Sequence, residues 1–236
     1  MDDYANLDGG GIDVGNVLPR TQAIFPGPFL ARPWQPHVPL PPYRATCIGR
    51  EGSGRRRAEA FIEAVFRRDH DARIASHYPE LLCLENRTGD LIGVCGIRMA
   101  EGGPLFLESY LDMPVEQAAG AALHRKVQRE RIVEIGNLAT DGRGSSLSMI
   151  EATALLIIAR GFDVAVLTAT SKLRRVFSHV GIATTVFGGA DPRRLADGGG
   201  SWGTYYSGRP LLLVGVLPVC LADACRRSPL MADALK

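Results

Sequence analysis

The sequence predicts an α/β fold whose mixed central sheet contains one parallel strand pair, and three observations carry that prediction. From Gly49 onward, strand-like apolar runs alternate with stripes at helical spacing. Two of the runs, Leu81–Glu85 and Leu91–Met99, flank the polar turn Asn86–Asp90 and read as a β-hairpin. A helical stripe of about fourteen residues lies between the runs Ile132–Leu138 and Val164–Thr168, and a crossover of that length makes two strands parallel.

At 236 residues the chain is long enough for its own hydrophobic core. Hydrophobic residues make up 46% and charged residues 22%, with Lys+Arg 27 against Asp+Glu 25, so neither a disordered chain nor a strongly basic nucleic-acid binder fits. The five cysteines, Cys47, Cys83, Cys95, Cys220 and Cys225, form an odd set, partly inside apolar runs, with no His at zinc spacing. Free thiols, no metal and a reducing cytoplasm are expected. The acidic, Gly-rich N-terminus is not a secretory signal, and the longest apolar stretch, Leu211 to Ala222, is interrupted by Pro218 and is too short to span a bilayer.

Residues 1–45 read as an extended leader, because proline recurs every two to four positions in FPGPFLARPWQPHVPLPPY. Its aromatic residues Phe25, Phe29, Trp34 and Tyr43 either dock on the domain or belong to a loose tail. One α/β domain accounts for residues 46–218. It opens with an amphipathic helix capped by Ser53, with Ala58, Phe61, Ile62, Val65 and Phe66 on the apolar face and Arg55, Arg56, Arg57, Arg67 and Arg68 outside it. That arginine cluster is either a solvated face or a surface for an acidic partner.

After the hairpin comes the strand Ile132–Leu138, then the turn-rich ATDGRGSS, then a helix with Leu147, Ile150, Ala154, Ile157 and Ile158 on one stripe, ended by Gly161. Val164–Thr168 is a nearly unbroken apolar run, as in a strand buried on both faces. A short helix, about Leu173–His179, and a last strand, Leu211–Leu217, complete the domain, and residues 219–236 form a C-terminal helix or tail.

Ligand sites of parallel sheets gather at the carboxyl ends of the strands. The first such end holds Glu134, a carboxylate among Ile132, Val133 and Ile135 that either points to an edge and solvent or is partly buried with a raised pKa, which would make it a general-base candidate. Asn137 is a polar orienter or a turn former. Arg143, Gly144, Ser145 and Ser146 open the next helix and offer backbone N–H groups, hydroxyls and a cation to an anion. At the second end, Thr168, Thr170 and Ser171 meet a helix start, where capping explains one hydroxyl, and Arg174 and Arg175 follow. Tyr205 or Tyr206, in WGTYY, is either a proton donor or a packed ring. The five histidines are scattered, so a hydrolase triad has no support.

In order, PLFLESYLDMPVEQ (104–117), RERIVEIGNLATDGRGSS (129–146), LTATSKLRRVFSHVGI (167–182), ADPRRL (190–195) and WGTYY (202–206) resemble the thermostable hemolysin family. That family in turn resembles the GNAT acyltransferases and the acyl-homoserine-lactone autoinducer synthases. The resemblance implies a GNAT-like fold with a splayed parallel strand pair whose wedge admits the pantetheine arm of an acyl thioester. It puts Glu134 in the place of the catalytic or substrate-holding carboxylate. Leu138 and Ala139 would hold the pantetheine through backbone, and Arg143 to Ser146 would meet its phosphate. Thr168 and Thr170 would line the opposite wall, Glu108 and Tyr110 would border the acceptor or acyl pocket, and a tyrosine such as Tyr205 would reprotonate the thiolate.

The implied activity is N-acylation of a small amine from an acyl-phosphopantetheine co-substrate, with no tightly bound cofactor. A GNAT coenzyme A loop beginning at Arg143 would have glycine at 146, where this chain has Ser146. This weighs toward an acyl carrier protein as donor and partner, for which the basic Arg55–Arg57 and Arg174–Arg175 would be complementary, while coenzyme A stays open. The tryptophan and D-x-F/Y-D pattern that autoinducer synthases carry after the first helix is missing, which disfavours lactone synthesis. Two other classes compete: a membrane-active hemolysin, for which the sequence offers no spanning segment and no long amphipathic helix, and a non-catalytic acyl or carrier-protein binding module.

Overall fold

The computed structural model describes residues 43–142 and 144–217. Phe25, Phe29, Trp34, Arg143 and the segment 218–236 with Cys220 and Cys225 lie outside the described residues. The chain runs through β1 (Tyr43–Ile48), α1 (Arg55–His70), β2 (Glu80–Asn86), β3 (Leu91–Met99), a 3-10 helix (Phe106–Tyr110), α2 (Val115–Leu123), β4 (Ile132–Thr140), α3 (Ser145–Ala159), β5 (Val164–Ala169), α4 (Ser171–Val180), β6 (Thr185–Gly189) and β7 (Leu211–Val216).

The strands form one sheet in the order β1-β2-β3-β4-β5-β7-β6. Among the described strands only β4 and β5 pair in parallel, joined by the α3 crossover, and the other neighbouring pairs are antiparallel. Side chains of β4 and β5 alternate between two helix-covered faces. Ile132, Val164 and Val166 pack with Leu107, Tyr110 and Val115, on the face that also carries α1. Val133, Ile135, Ala165 and Leu167 pack on the opposite face, against α3 and α4. Both faces are therefore apolar, which is why Val164–Ala169 lacks the alternation of a half-exposed strand. Each fully buried Leu or Ile, such as Ile62, Leu84 or Leu107, stabilises the fold by about 1.5–3 kcal/mol.

The hairpin, the parallel pair and the helices at 145–159 and 171–180 follow the sequence pattern. Differences arise where long-range contacts overrule it. The first helix is capped by Gly54 in the left-handed region, not by the side chain of Ser53. Arg55 is buried: its guanidinium donates to the carbonyls of Tyr78 (2.7 Å) and Pro79 (3.2 Å) and to Glu59 (2.7 Å). Leu147, placed on the apolar stripe of α3, is exposed, whereas Met149, Ala152 and Leu156 are buried beside Ile150 and Ile157. The pattern contains no β1, α2 or β6. Tyr43–Ile48 follows two prolines and sits at a sheet edge, so its first residues read as leader.

Candidate functional site: the wedge between β4 and β5

β4 and β5 are paired only from Ile132 opposite Val164 to Ile135 opposite Leu167. Beyond that point β4 continues to Thr140 and β5 to Ala169 with no ladder between them. β5 stays bound to β7 as far as Ala169 opposite Leu211, and β4 returns to β3 at Val94 opposite Ala139. On the way β4 bulges. Gly96 faces Gly136 and Val94 faces Ala139, so Asn137 and Leu138 together stand opposite Cys95. The bulge turns the strand away from β5 and opens the wedge.

Glu134 lies one residue before the last parallel pair, on the face covered by α1 and the 3-10 helix, and is 1% exposed. Its Oε2 accepts the Phe106 N–H and its Oε1 the Leu107 N–H, each at 2.8 Å. These donors open the Phe106–Tyr110 helix and would otherwise lack intrahelical partners. Burial raises the Glu134 pKa, and the two backbone donors, the Tyr78 hydroxyl and the Arg98 charge oppose the rise. Of the two sequence alternatives, the structure has the buried carboxylate with a raised pKa.

The sequence pattern does not single out Tyr78. Its ring lies over Gly96 and Gly136, where any added Cβ would overlap the phenol, and the Arg98 guanidinium caps it at 5.1 Å from the ring centroid. The available signal was glycine at facing positions of two predicted strands, which marks a close approach.

Around Glu134 an aromatic cluster joins the FLESYL and WGTYY blocks. The hydroxyls of Tyr110 and Tyr206 are 2.5 Å apart, and Trp202 packs on Tyr205 and Phe106 with centroids at 5.2 and 5.6 Å. Phe66 and His70 of α1 complete it, and burial lowers the His70 pKa. The Tyr205 hydroxyl points at the Thr168 carbonyl, 3.4 Å away, and burial pushes its pKa up. Glu134, Tyr110, Tyr205 and Thr168 are thus gathered at one face of the wedge.

The Glu108 carboxylate is engaged within the chain on both oxygens. Arg129 binds both its carboxylate oxygens at 2.8 Å, and the carboxylate also accepts the N–H groups of Leu105 (2.7 Å) and Val115 (2.9 Å). The Arg129 guanidinium leads these contacts in holding the Glu108 pKa down at about 2. Arg129 further donates to Glu116 and to the carbonyls of Ala100 and Gly103, tying the whole 99–131 connection to the sheet.

Of the residues predicted to meet a phosphate, Gly144, Ser145 and Ser146 open α3, the helix that packs on the other face. The Ser145 hydroxyl donates to Asp141 at 2.5 Å and the Ser146 hydroxyl pairs with Thr140 at 3.1 Å, so both are engaged within the chain. Gly144 caps α3, and Arg143 is outside the described residues. Thr170 is the cap of α4, its hydroxyl accepting the Leu173 N–H at 3.4 Å. Leu138 turns toward this face and, with Ile135, Ile150, Ala154, Leu167 and Phe177, lines an apolar groove below the wedge. The backbone of Leu138 and Ala139 has no β5 partner. The predicted residues therefore divide between two faces of the sheet, connected by the gap between β4 and β5.

The basic surface is also rearranged. Arg57 is tied to Glu85 and the Gly89 carbonyl, and Arg174 to the carbonyls of Ala169 and Arg209, which leaves Lys172 and Arg175 exposed beside the wedge. Among the described residues no cluster of His, Cys, Asp or Glu is arranged to hold a metal, and no helix is long and apolar enough to cross a membrane.

The family model described as thermostable hemolysin matches residues 48–220, well over half of the chain. FeeM, an N-acyl amino acid synthase from uncultured soil microbes, is similar in structure over 77% of this chain and 95% of that one, at 15% identity and a TM-score of 0.52. The AHL synthase LasI is similar over 74% and 90%, at 16% identity and 0.51. TofI in its apo form is similar over 79% and 98%, at 13% identity and 0.51. At such identities the likeness is one of fold, the GNAT-like acyltransferase fold expected from the sequence. Curated protein sequences give no match.

Proposed function

The chain belongs to the thermostable hemolysin family, and from that premise and the wedge geometry we propose that it is an N-acyltransferase that moves an acyl group from a pantetheine thioester to a small amine. The observation that carries the proposal is the parting of β4 from β5 beside a buried carboxylate. Unpaired strand backbone in the gap suits the amide groups of a pantetheine arm, and the apolar groove below it suits the thioester's hydrocarbon.

In this reading the amine enters from the aromatic face. Glu134, directly or through a water, takes a proton from the attacking ammonium, and its raised pKa brings it nearer the working pH of a base. The amine nitrogen freed by that transfer bonds to the carbonyl carbon, the C–S bond breaks, and the proton that the nitrogen sheds on becoming an amide passes to solvent, which in turn restores the proton the tyrosine gives up. The thiolate recovers a proton from the tyrosine cluster, where the Tyr205 hydroxyl reaches the Thr168 carbonyl of β5. Structures with this fold include an N-acyl amino acid synthase and an AHL synthase by name, so acyl transfer to an amine is chemistry the fold supports.

As donor we favour an acyl carrier protein over coenzyme A. The serine hydroxyls at the start of α3 are occupied and the Asp141 carboxylate stands beside them, which is poor company for a pyrophosphate. Lys172 and Arg175, rather than Arg55 and Arg57, would meet the acidic carrier. A reducing cytoplasm suits the unbridged thiols Cys47, Cys83 and Cys95. The test is incubation with acyl-carrier-protein and acyl-coenzyme A donors plus a mixture of amines, read by mass spectrometry. A new amide supports the enzyme. Membrane lysis without any acylated product would leave the hemolysin reading standing instead.

A further inference from the structure

Asn137 departs from strand geometry in the middle of β4. Its φ is +48°, in the left-handed region that asparagine tolerates better than most side chains and that glycine adopts freely. The residue is 9% exposed, and its Nδ2 has no hydrogen-bond partner among the described residues. Buried amide donors are nearly always paired, and left-handed non-glycine residues concentrate where strain serves a ligand. Here the two coincide at one residue. That residue lies just past Ile135 opposite Leu167, where the wedge begins, and three positions after Glu134 on the same strand.

Resting on the acyl-transfer reading above, we propose that the Asn137 side-chain amide is a catalytic hydrogen-bond donor to the carbonyl oxygen of the bound acyl thioester. As the amine nitrogen bonds to the carbonyl carbon, the C=O π pair moves onto that oxygen, and the Nδ2–H group holds the charge that develops. When the oxyanion collapses, the C–S bond breaks, and the thiolate leaves to be protonated. A lone neutral donor on the strand just past the point where β4 and β5 part suits an acceptor that is neutral when it binds and gains charge only in the transition state. A phosphate would call for several donors or a cation.

Asn137→Gly separates this role from a structural one. Glycine takes the +48° conformation without strain and removes the orphan donor, so the midpoint of thermal unfolding should stay level or rise. The kcat for amide formation should nonetheless fall about 100-fold, the usual loss for one oxyanion donor, with the KM for thioester changed less than about threefold. Asn137→Asp, which keeps the shape and loses the donor, should fall at least as far. Infrared spectra of an acyl-pantetheine thioester labelled with ¹³C at its carbonyl, bound without amine, should show a lowered carbonyl stretch in the wild-type protein and not in Asn137→Gly. Turnover of Asn137→Gly within about threefold of wild type, or the same stretch in both proteins, overturns the proposal and leaves the acyl-transfer reading intact. Absence of any acylated product from the wild-type protein overturns that reading and the role of Asn137 with it.

Discussion

Glu134→Gln is the substitution that tests how catalysis and architecture share one side chain. The carboxylate accepts two backbone N–H groups at 2.8 Å, one on each oxygen. Glutamine offers a single oxygen, so its NH₂ must face either the Phe106 or the Leu107 N–H, and at 1% exposure water does not replace the lost acceptor. One buried amide left unpaired costs about 1–3 kcal/mol. For a chain of this size each kcal/mol shifts the unfolding midpoint by about 2–4 °C, so a drop of about 2–12 °C is expected in a thermal scan. Sequence pattern alone predicts little loss of folding from this change, because the donors at Phe106 and Leu107 are invisible in the strand pattern. Turnover, measured on folded protein below the transition, should fall 10²–10⁴-fold if Glu134 takes the ammonium proton. The two readouts refute different steps. A midpoint unchanged within about 1 °C would show that the carboxylate does not hold the 3-10 helix, and turnover within about threefold of wild type would remove the base.

The pH dependence carries a sign. Because burial raises the Glu134 pKa, the acid limb of kcat/KM should lie above the ordinary carboxylate range and fall as pH drops through it; a limb at or below pH 4.5 contradicts the assignment. Glu108 works in the opposite direction for stability. Its folded pKa, about 2, is below its unfolded value, so its contribution is present above about pH 4.5 and is lost as pH falls toward 2, a loss that acid titration by circular dichroism should record and that Glu108→Gln should remove. Arg129→Ala leaves Glu108 and Glu116 without their shared cation, and urea denaturation should show a loss of about 2–3 kcal/mol, less than the 3–5 of a fully buried pair because Arg129 keeps 27% of its side chain exposed. Gly136→Ala drives a methyl group into Tyr78 and should cost about 1–3 kcal/mol in the same assay while lowering turnover, whereas wild-type behaviour would mean that Tyr78 is free to move.

What the sequence made legible was local. The hairpin, the apolar β5 and the helices after β4 and β5 each announce themselves through periodicity and turn residues within about fifteen positions. The parallel pairing followed from one crossover length. Partners of the site residues lie much farther along the chain. Glu134 is held by Phe106 and Leu107, Glu108 by Arg129, and the ring over Gly136 belongs to Tyr78. None of these pairs shares an element, so no period reveals them. Arg55 shows the same limit in reverse: its neighbours mark a solvated arginine run, while its own partners are carbonyls at 78 and 79. Glu134 could be singled out because a carboxylate in an apolar strand is anomalous where it stands, but what it touches could not.

The anomaly extends along β4, and this links the site to the fold. Glu134, Gly136 and Asn137 are residue types depleted in strands, yet they follow Ile132 and Val133 in a strand paired on both sides at its start. Each departure has its own structural consequence. The carboxylate binds the 3-10 helix, the glycine admits Tyr78, and the asparagine takes the left-handed turn that sets two residues opposite Cys95. Glu134 still pairs with Val166, so the parting begins with Gly136 and Asn137; replacing these two with β-branched residues would favour a regular strand whose ladder with β5 runs past Leu167 to Ala169, where β5 ends. The wedge is therefore written into the strand-averse residues of β4 rather than into the loops around it, and Asn137, at the bulge where the two strands part, is also the residue proposed to meet the thioester.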